Sequence, residues 1–263
     1  MNGTTISDIR ALAEAADERQ LEALERSLKG DTRKGIAGIL KKARSRIEAC
    51  KAEERRLSSM YELQQELADA RNAKCIVGLD EVGRGPLAGP LAVGAVVLPM
   101  QPMIEGLNDS KQVKDFDRAS MADAIKETSL AWSIRYADPA EIDEVGIMAA
   151  LRSAFKGAVS DIESQGIDVD IILLDGNPMH LDEREVNVVK GDSKCASIAA
   201  ASIIAKVERD ALMDEMDLKY PGYGFKSNKG YGTQAHRDAI RELGLTDIHR
   251  RSFCSEFFQD TLF

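Results

Sequence analysis

Three apolar runs in this 263-residue chain end in carboxylates beside glycine. The first, CIVGLDEVGRG, closes on Asp80 and Glu81 ahead of Gly83, Arg84 and Gly85; the second closes on Asp175 in LLDG, and the third, VVKGD, on Asp192. Short apolar runs bounded by glycine read as buried strands, so these acids stand where strands end and the chain reverses. If the strands ending at Asp80 and Asp175 are parallel neighbours, their carboxylates meet at the sheet edge where open α/β folds bind ligands. Glu81 adds a third acid. Asp192, just ahead of a helix, can point back to the same place. Four such charges repel one another unless cations join them. Oxygen donors, with no His or Cys at ligand spacing among them, favour Mg2+ or Mn2+ over zinc. Two such ions in one site suit hydrolysis of a phosphodiester. Taken singly, the commoner reading of Asp80 and Asp175 is a turn residue, and of Asp192 a helix cap. Their recurrence at the ends of core elements is what points to one shared site.

Positioning these acids calls for a sheet with helices over it. The runs ending at Asp80 and Glu81 and spanning Leu91 to Leu98 are separated by a short turn and predict an antiparallel hairpin, with Trp132 to Tyr136 alternating as a third strand. Leu107 to Lys111 reads as a loop and cap before a helix over Asp115 to Thr128. A helical pattern runs from Pro139 to Gly166, followed by the apolar strands Ile171 to Leu174 and Val186 to Val189. A helix leading into a buried strand is the mark of an α/β crossover. Ser193 to Asp210 is Ala-rich and apolar on most faces, which predicts a helix buried against the sheet. The stretch PGYGFKSNKGYGT, Pro221 to Thr233, is loop.

Composition narrows the class. With 44% hydrophobic residues the chain can bury a substantial core, and its net charge of −9 argues against a wholly basic nucleic-acid coat. Cys50, Cys75, Cys195 and Cys254 are far apart, so neither a disulfide framework nor a zinc site is expected, and a reducing cytoplasm fits best. No run reaches the ~18 uncharged apolar residues of a membrane span. Residues 1–70 carry almost no strand signal and predict a separate helical module, with the boundary near residue 71. Within it, Arg26 to Arg46 holds eight basic side chains and one acid. That segment could lie along a phosphate backbone, or be a solvated helix face.

At this point the strings DEVGRGPLAGP, LNDSK, LLDGNP, KGDSKCASIAAASIIAKVERD and NKGYGT with His236 three residues on resemble, in order over about residues 74–253, bacterial type 2 ribonuclease H, ribonuclease HII. The resemblance implies a ribonuclease H-like α/β fold: a central mixed five-stranded sheet flanked by helices in residues 71–263, plus the N-terminal helical module. It implies Asp80, Glu81, Asp175 and Asp192 as catalytic ligands of two divalent ions. It further implies endonucleolytic cleavage 5′ to a ribonucleotide in an RNA–DNA hybrid or embedded in duplex DNA, leaving a 3′-hydroxyl and a 5′-phosphate. Gly83, Arg84 and Gly85 match the family's ribose-sensing loop, and Tyr231 its stacking tyrosine. The related type 3 enzymes carry Gly-Thr-Gly-like loops, so Arg84 favours type 2.

These roles are physically sensible. Glycines let backbone approach a sugar closely, the 2′-hydroxyl separates RNA from DNA, and Arg84 can fork onto a phosphate. Lys111 and Lys194, with Lys190, Lys226 and Lys229, are candidate phosphate contacts or simply solvated. His180, His236 and His249 read as structural or substrate-facing. The ending Gln259-Asp-Thr-Leu-Phe263 resembles the short peptide by which bacterial replication proteins dock on the sliding clamp; the alternative is a frayed or core-packed end. A cytoplasmic monomer acting on nucleic acid, with no membrane association, is the expectation.

Overall fold

Helix signals dominate the start of the chain, and helices form there. In the computed structural model, which describes residues 4–257, α1 (Ile6–Ala15) and α2 (Glu18–Ser27) each open with a capping box. Asp8 N donates to the Thr5 hydroxyl while the Asp8 carboxylate accepts from Thr5 N, and Asp17 and Gln20 repeat the exchange. Caps of this kind each stabilise a helix by about 1 kcal/mol. Helix α3 (Ile36–Arg71) is unbroken. After Gly38 it contains neither Gly nor Pro and consists largely of strong helix formers, so nothing interrupts it. The chain divides into two compact units, Met1–Ser58 and Ser59–Phe263. In the first, Ile9, Ala13, Leu21, Leu28, Ile36 and Ala43 are buried together with Leu24 and Ile39.

The second unit is built on a five-stranded mixed sheet of order β3-β2-β1-β4-β5. Its strands are β1 (Ile76–Val82), β2 (Leu91–Val97), β3 (Ala131–Ala137), β4 (Ile171–Asp175) and β5 (Glu185–Val188). Neighbours β1/β2 and β2/β3 are antiparallel, β1/β4 and β4/β5 parallel. The fold is therefore the ribonuclease H-like one. The first pair is not joined by a tight turn, because residues 83–90 intervene. Helix α4 (Asp115–Thr128) follows expectation. The pattern from Pro139 forms two helices, α5 (Pro139–Val145) and α6 (Ile147–Ser164), because the chain turns at Gly146 with φ 81°. Helices α7 (Ala196–Lys219), α8 (Phe225–Asn228) and α9 (Gln234–Leu243) complete the unit.

Each sheet face is covered for a sequence reason. Leu79, Val93, Ala95 and Leu174 alternate onto the face that packs against Ile142, Leu151, Phe155 and Val159 of α5 and α6. Full burial of each large side chain contributes about 1.5–3 kcal/mol. On the other face Gly78 and Gly94 leave bare backbone, and α7 lies directly upon it. A Cβ on Gly78 would come within 2.3 Å of the Ser197 carbonyl carbon, and one on Gly94 within 2.3 Å of the Ala201 oxygen. This close approach fixes the depth at which α7 meets the acidic end of β1. The end of α3 joins in: Leu63, Leu67 and Ala68 pack around Ile76, Leu173 and Ile198. Gln64 accepts from Ser197 N at 3.3 Å, supplying the first turn of α7 with a cap that Cys195 does not.

Candidate active site

Parallel pairing places Leu79 opposite Leu174, so Asp80 and Asp175 follow at neighbouring positions on adjacent strands. Asp192 lies in the 3-10 turn Gly191–Ser193 between β5 and α7, and Gly191 N donates to Asp175 Oδ1 at 2.6 Å. Asp80, Glu81, Asp175 and Asp192 line one cleft of about 470 Å³ together with Gly83, Arg84, Gly85, Lys111 and Tyr231. Of the residues singled out from sequence, Lys194 does not line it; its side chain is exposed beside the turn. Ser110, Ser202 and Lys206 line the cleft without having been foreseen. The two serines share a hydrogen bond at 3.0 Å. Ser110 lies in LNDSK and Ser202 and Lys206 in the long string from Lys190 to Asp210, so the resemblance held a signal for them that was not taken up.

The electrostatics are those of crowded acids. Burial pushes the Asp80 carboxyl up to about 8, the charges of Glu81 and Asp175 adding to the effect and hydrogen bonds from Ser202 and Glu81 N opposing it. Burial also raises Glu81, with Asp175 adding and Arg84 opposing. Asp192 is raised by burial and by Asp109 and Asp175, against the pull of Lys111. The cations stand off, Arg84 3.7 Å from Glu81 and Lys111 3.8 Å from Asp192. Among the described residues no group of three Asp, Glu, His or Cys side chains stands in an arrangement that could hold a metal ion. Asp175 and Asp80 are instead engaged by Gly191, Ser202 and Glu81 N. In kind, however, four carboxylate oxygen donors, with the proton affinities of Asp80, Glu81 and Asp192 raised and with Arg84 and Lys111 no nearer than 3.7 Å, fit a hard divalent ion.

The loop beside the acids is held from behind. Arg250 and Arg209 are fully buried, and their guanidinium groups reach six backbone carbonyls. Arg250 donates to Gly83, Arg84 and Gly89 at 2.6, 3.0 and 3.0 Å. Arg209 donates to Pro90, Lys229 and Ala88 at 2.8, 3.0 and 3.4 Å. Gly83 has φ 85°, and a Cβ there would fall 2.1 Å from Arg209 Nε. Its glycine therefore makes room for a buried arginine, whereas Gly85 has nothing within 4 Å of that position and is open. Tyr231 is 44% exposed, and its carbonyl accepts from His236 Nδ1 at 2.9 Å. Thr246 N donates to His249 Nδ1, which assigns the proton of His249 to Nε2 and directs it to His236 Nε2 at 3.1 Å. His236 and His249 are thus structural, and they hold the tyrosine's backbone.

Other expected phosphate contacts resolve differently. Lys190 and Lys226 are exposed, while Lys229 turns its ammonium to Asp214 and to the Asp210 carbonyl. In the basic N-terminal segment Arg33 pairs with Asp31, Arg44 with Glu25 and Arg26 with Glu22, and Arg46 donates to the Ala16 carbonyl at 2.5 Å. Among the described residues Lys29, Lys34, Lys41 and Lys42 are the lysines of that segment left exposed without an acidic partner. The clamp-like residues Gln259 to Phe263 lie outside the described residues.

Comparison with known proteins gives the same picture. Residues 77–256 match the model of the ribonuclease HII family, and residues 5–68 that of the ribonuclease HII N-terminal domain. Among solved structures, ribonuclease H2 from Pyrococcus horikoshii OT3 is 24% identical with a TM-score of 0.59, covering 71% of this chain and 100% of that one. The ribonuclease HII of a complex with PCNA from Archaeoglobus fulgidus is 23% identical at a TM-score of 0.57, over 67% and 94% of the two chains. Bst ribonuclease HIII in complex with Mn2+ is 20% identical at 0.55, over 72% and 70%. At these identities the structural likeness establishes the fold.

Proposed function

Because this chain belongs to the ribonuclease HII family, and so is a ribonuclease H, an endonucleolytic hydrolase, we propose that it cuts the phosphodiester 5′ to a ribonucleotide. The substrates are RNA–DNA hybrids and duplex DNA carrying misincorporated ribonucleotides, and the products carry 3′-hydroxyl and 5′-phosphate ends. One observation carries the reading: the four carboxylates share a single cleft with the Gly83–Gly85 loop and Tyr231. Asp80, Glu81, Asp175 and Asp192 would hold two Mg2+ or Mn2+ ions, which when bound activate a water and stabilise the leaving oxygen. The Gly83–Gly85 backbone reads the 2′-hydroxyl, and Tyr231 packs against the next sugar. Arg84, Lys111 and Lys206 face the phosphates. Lys194, exposed outside the cleft, serves at most a more distant phosphate.

Residues 1–70 form a helical extension that adds duplex affinity through its exposed lysines. Since the Archaeoglobus relative occurs in a complex with PCNA, docking of Gln259 to Phe263 on a sliding clamp belongs to the same proposal. Replacing Leu262 and Phe263 by Ala should abolish clamp binding. The central test is cleavage of matched duplexes with zero, one or several ribonucleotides, with Mg2+ or with chelator. Cutting only at ribose, and only with the divalent ion, is expected. Equal cutting of the all-DNA duplex would refute the reading.

A further inference from the structure

A guanidinium buried without a carboxylate is costly, and this unit buries two within one loop system. Among the described residues neither Arg209 nor Arg250 forms an ion pair; backbone carbonyls satisfy them instead. Burial pushes Arg250 down to about 10, the nearby Arg209 charge adding to the effect, yet it stays cationic at neutral pH. An apolar side chain would fill the space more cheaply. What an apolar side chain cannot do is set the direction of a peptide plane.

In a trans peptide the carbonyl and the following N–H point in opposite directions. Arg250 draws the Gly83 and Arg84 carbonyls into the protein, so the N–H groups of Arg84 and Gly85 are turned the other way. Both residues line the acidic cleft, and among the described residues neither N–H has an acceptor. Arg209 performs the corresponding service next door. Its bonds to Ala88, Pro90 and Lys229, with those from Leu87 N and Ala88 N to the Gly230 carbonyl, tie this loop to the one that carries Tyr231.

We propose that Arg250, seconded by Arg209, is a positioning residue for ribose selectivity: it locks two adjacent N–H donors toward the cleft, where they bind the 2′-hydroxyl oxygen. The inference rests on the ribose-reading role given above to residues 83–85. The planar fork matters more than the charge, since three carbonyls are held in fixed directions at once. Lysine at 250 keeps the charge and loses the fork. The donors are then free to rotate, and the preference for ribose falls while contacts to phosphate persist.

The test compares binding, in chelator so that nothing is cut, of two duplexes that differ by one 2′-hydroxyl. The parent should prefer the ribose duplex, and a folded Arg250→Lys variant should lose at least tenfold of that preference. A parent without preference would defeat the ribose-reading role itself. A parent with preference and a folded Arg250→Lys that retains it would overturn the positioning role. Should the variant fail to fold, amide exchange in the parent decides. The Arg84 and Gly85 amides should exchange fast in the free protein and become protected by the ribose duplex but not by its all-DNA counterpart. Protection of both amides in the free protein would overturn the proposal.

Discussion

In the unit Met1–Ser58, Arg44 reaches Glu25, Lys51 reaches Glu18 and Arg33 reaches Asp31, each pair at the surface. In the second unit, Asp80 is buried beside Glu81 and Asp175, and among the described residues Arg209 and Arg250 are buried without an ion pair, on backbone carbonyls. Exposed pairs of the first kind are worth about 0–1 kcal/mol apiece and can be rearranged at little cost. Charges of the second kind are held against their own preference by the packing around them. The contrast separates charges paired at a surface from charges buried among like charges or held by backbone carbonyls.

The largest expected effect breaks the acidic side. Asp80→Asn or Asp192→Asn should lower cleavage by at least about 100-fold, because the reacting groups lose their alignment. In the absence of divalent ions the melting temperature of Asp80→Asn should be unchanged or higher, since a buried carboxyl among like charges is removed. Full activity in a folded Asp80→Asn protein would place the chemistry elsewhere. Next, Tyr231→Ala should lose about 1–3 kcal/mol of stacking, seen as a larger fall in cleavage at a single ribonucleotide than in duplex binding. Undiminished cleavage would leave the tyrosine a mere loop anchor.

A third test concerns groups kept neutral rather than paired. Burial lowers His249 to about 4, with His236 adding to the effect, and His236 is itself lowered by burial. Both folded values lie below the unfolded one. The stability from the neutral pair is therefore full above about pH 6.5 and is lost as pH falls from there toward about 4. The loss should be on the order of 2 kcal/mol, and His249→Gln should flatten that limb of a urea-denaturation series. The smallest effect belongs to the paired region. Changing Lys29, Lys34, Lys41 and Lys42 together to Gln should reduce the slope of log affinity against log salt by no more than about 4, without moving the cleavage position. An unchanged slope would leave the first unit no part in holding phosphate.

The acids were legible in the sequence because strands announce themselves by apolar runs, and each acid interrupts one at its end. The antiparallel pairing of β1 with β2 was readable from the same runs and α7 from its alanines, whereas the order of the five strands was not. The buried arginines were not legible. Arg209 sits in KVERD, at the end of the stretch read as a buried helix, and Arg250 in HRRS; neither stands out, because their acceptors are backbone carbonyls that leave no trace in side-chain chemistry. Gly83 was readable as special but for a partial reason, since the atoms that exclude a Cβ belong to Arg209 from over a hundred residues away. Within the basic stretch Arg26 to Arg46 the count of charges overstates those left unpaired, because Glu22 and Glu25, which pair with two of its arginines, lie just before Arg26.

The parallel pairing of β1 with β4 joins Leu79 to Leu174 across a long stretch of chain, and the cleft adds Asp192, Ser202 and Tyr231 from still later. Long-range parallel pairing is a slow step in folding, because chain closure must precede its reward. On a ribosome the acidic pair Asp80-Glu81 therefore emerges well before any of its partners exist. A nascent chain thus has no complete cleft until residues as far as Tyr231 have been made.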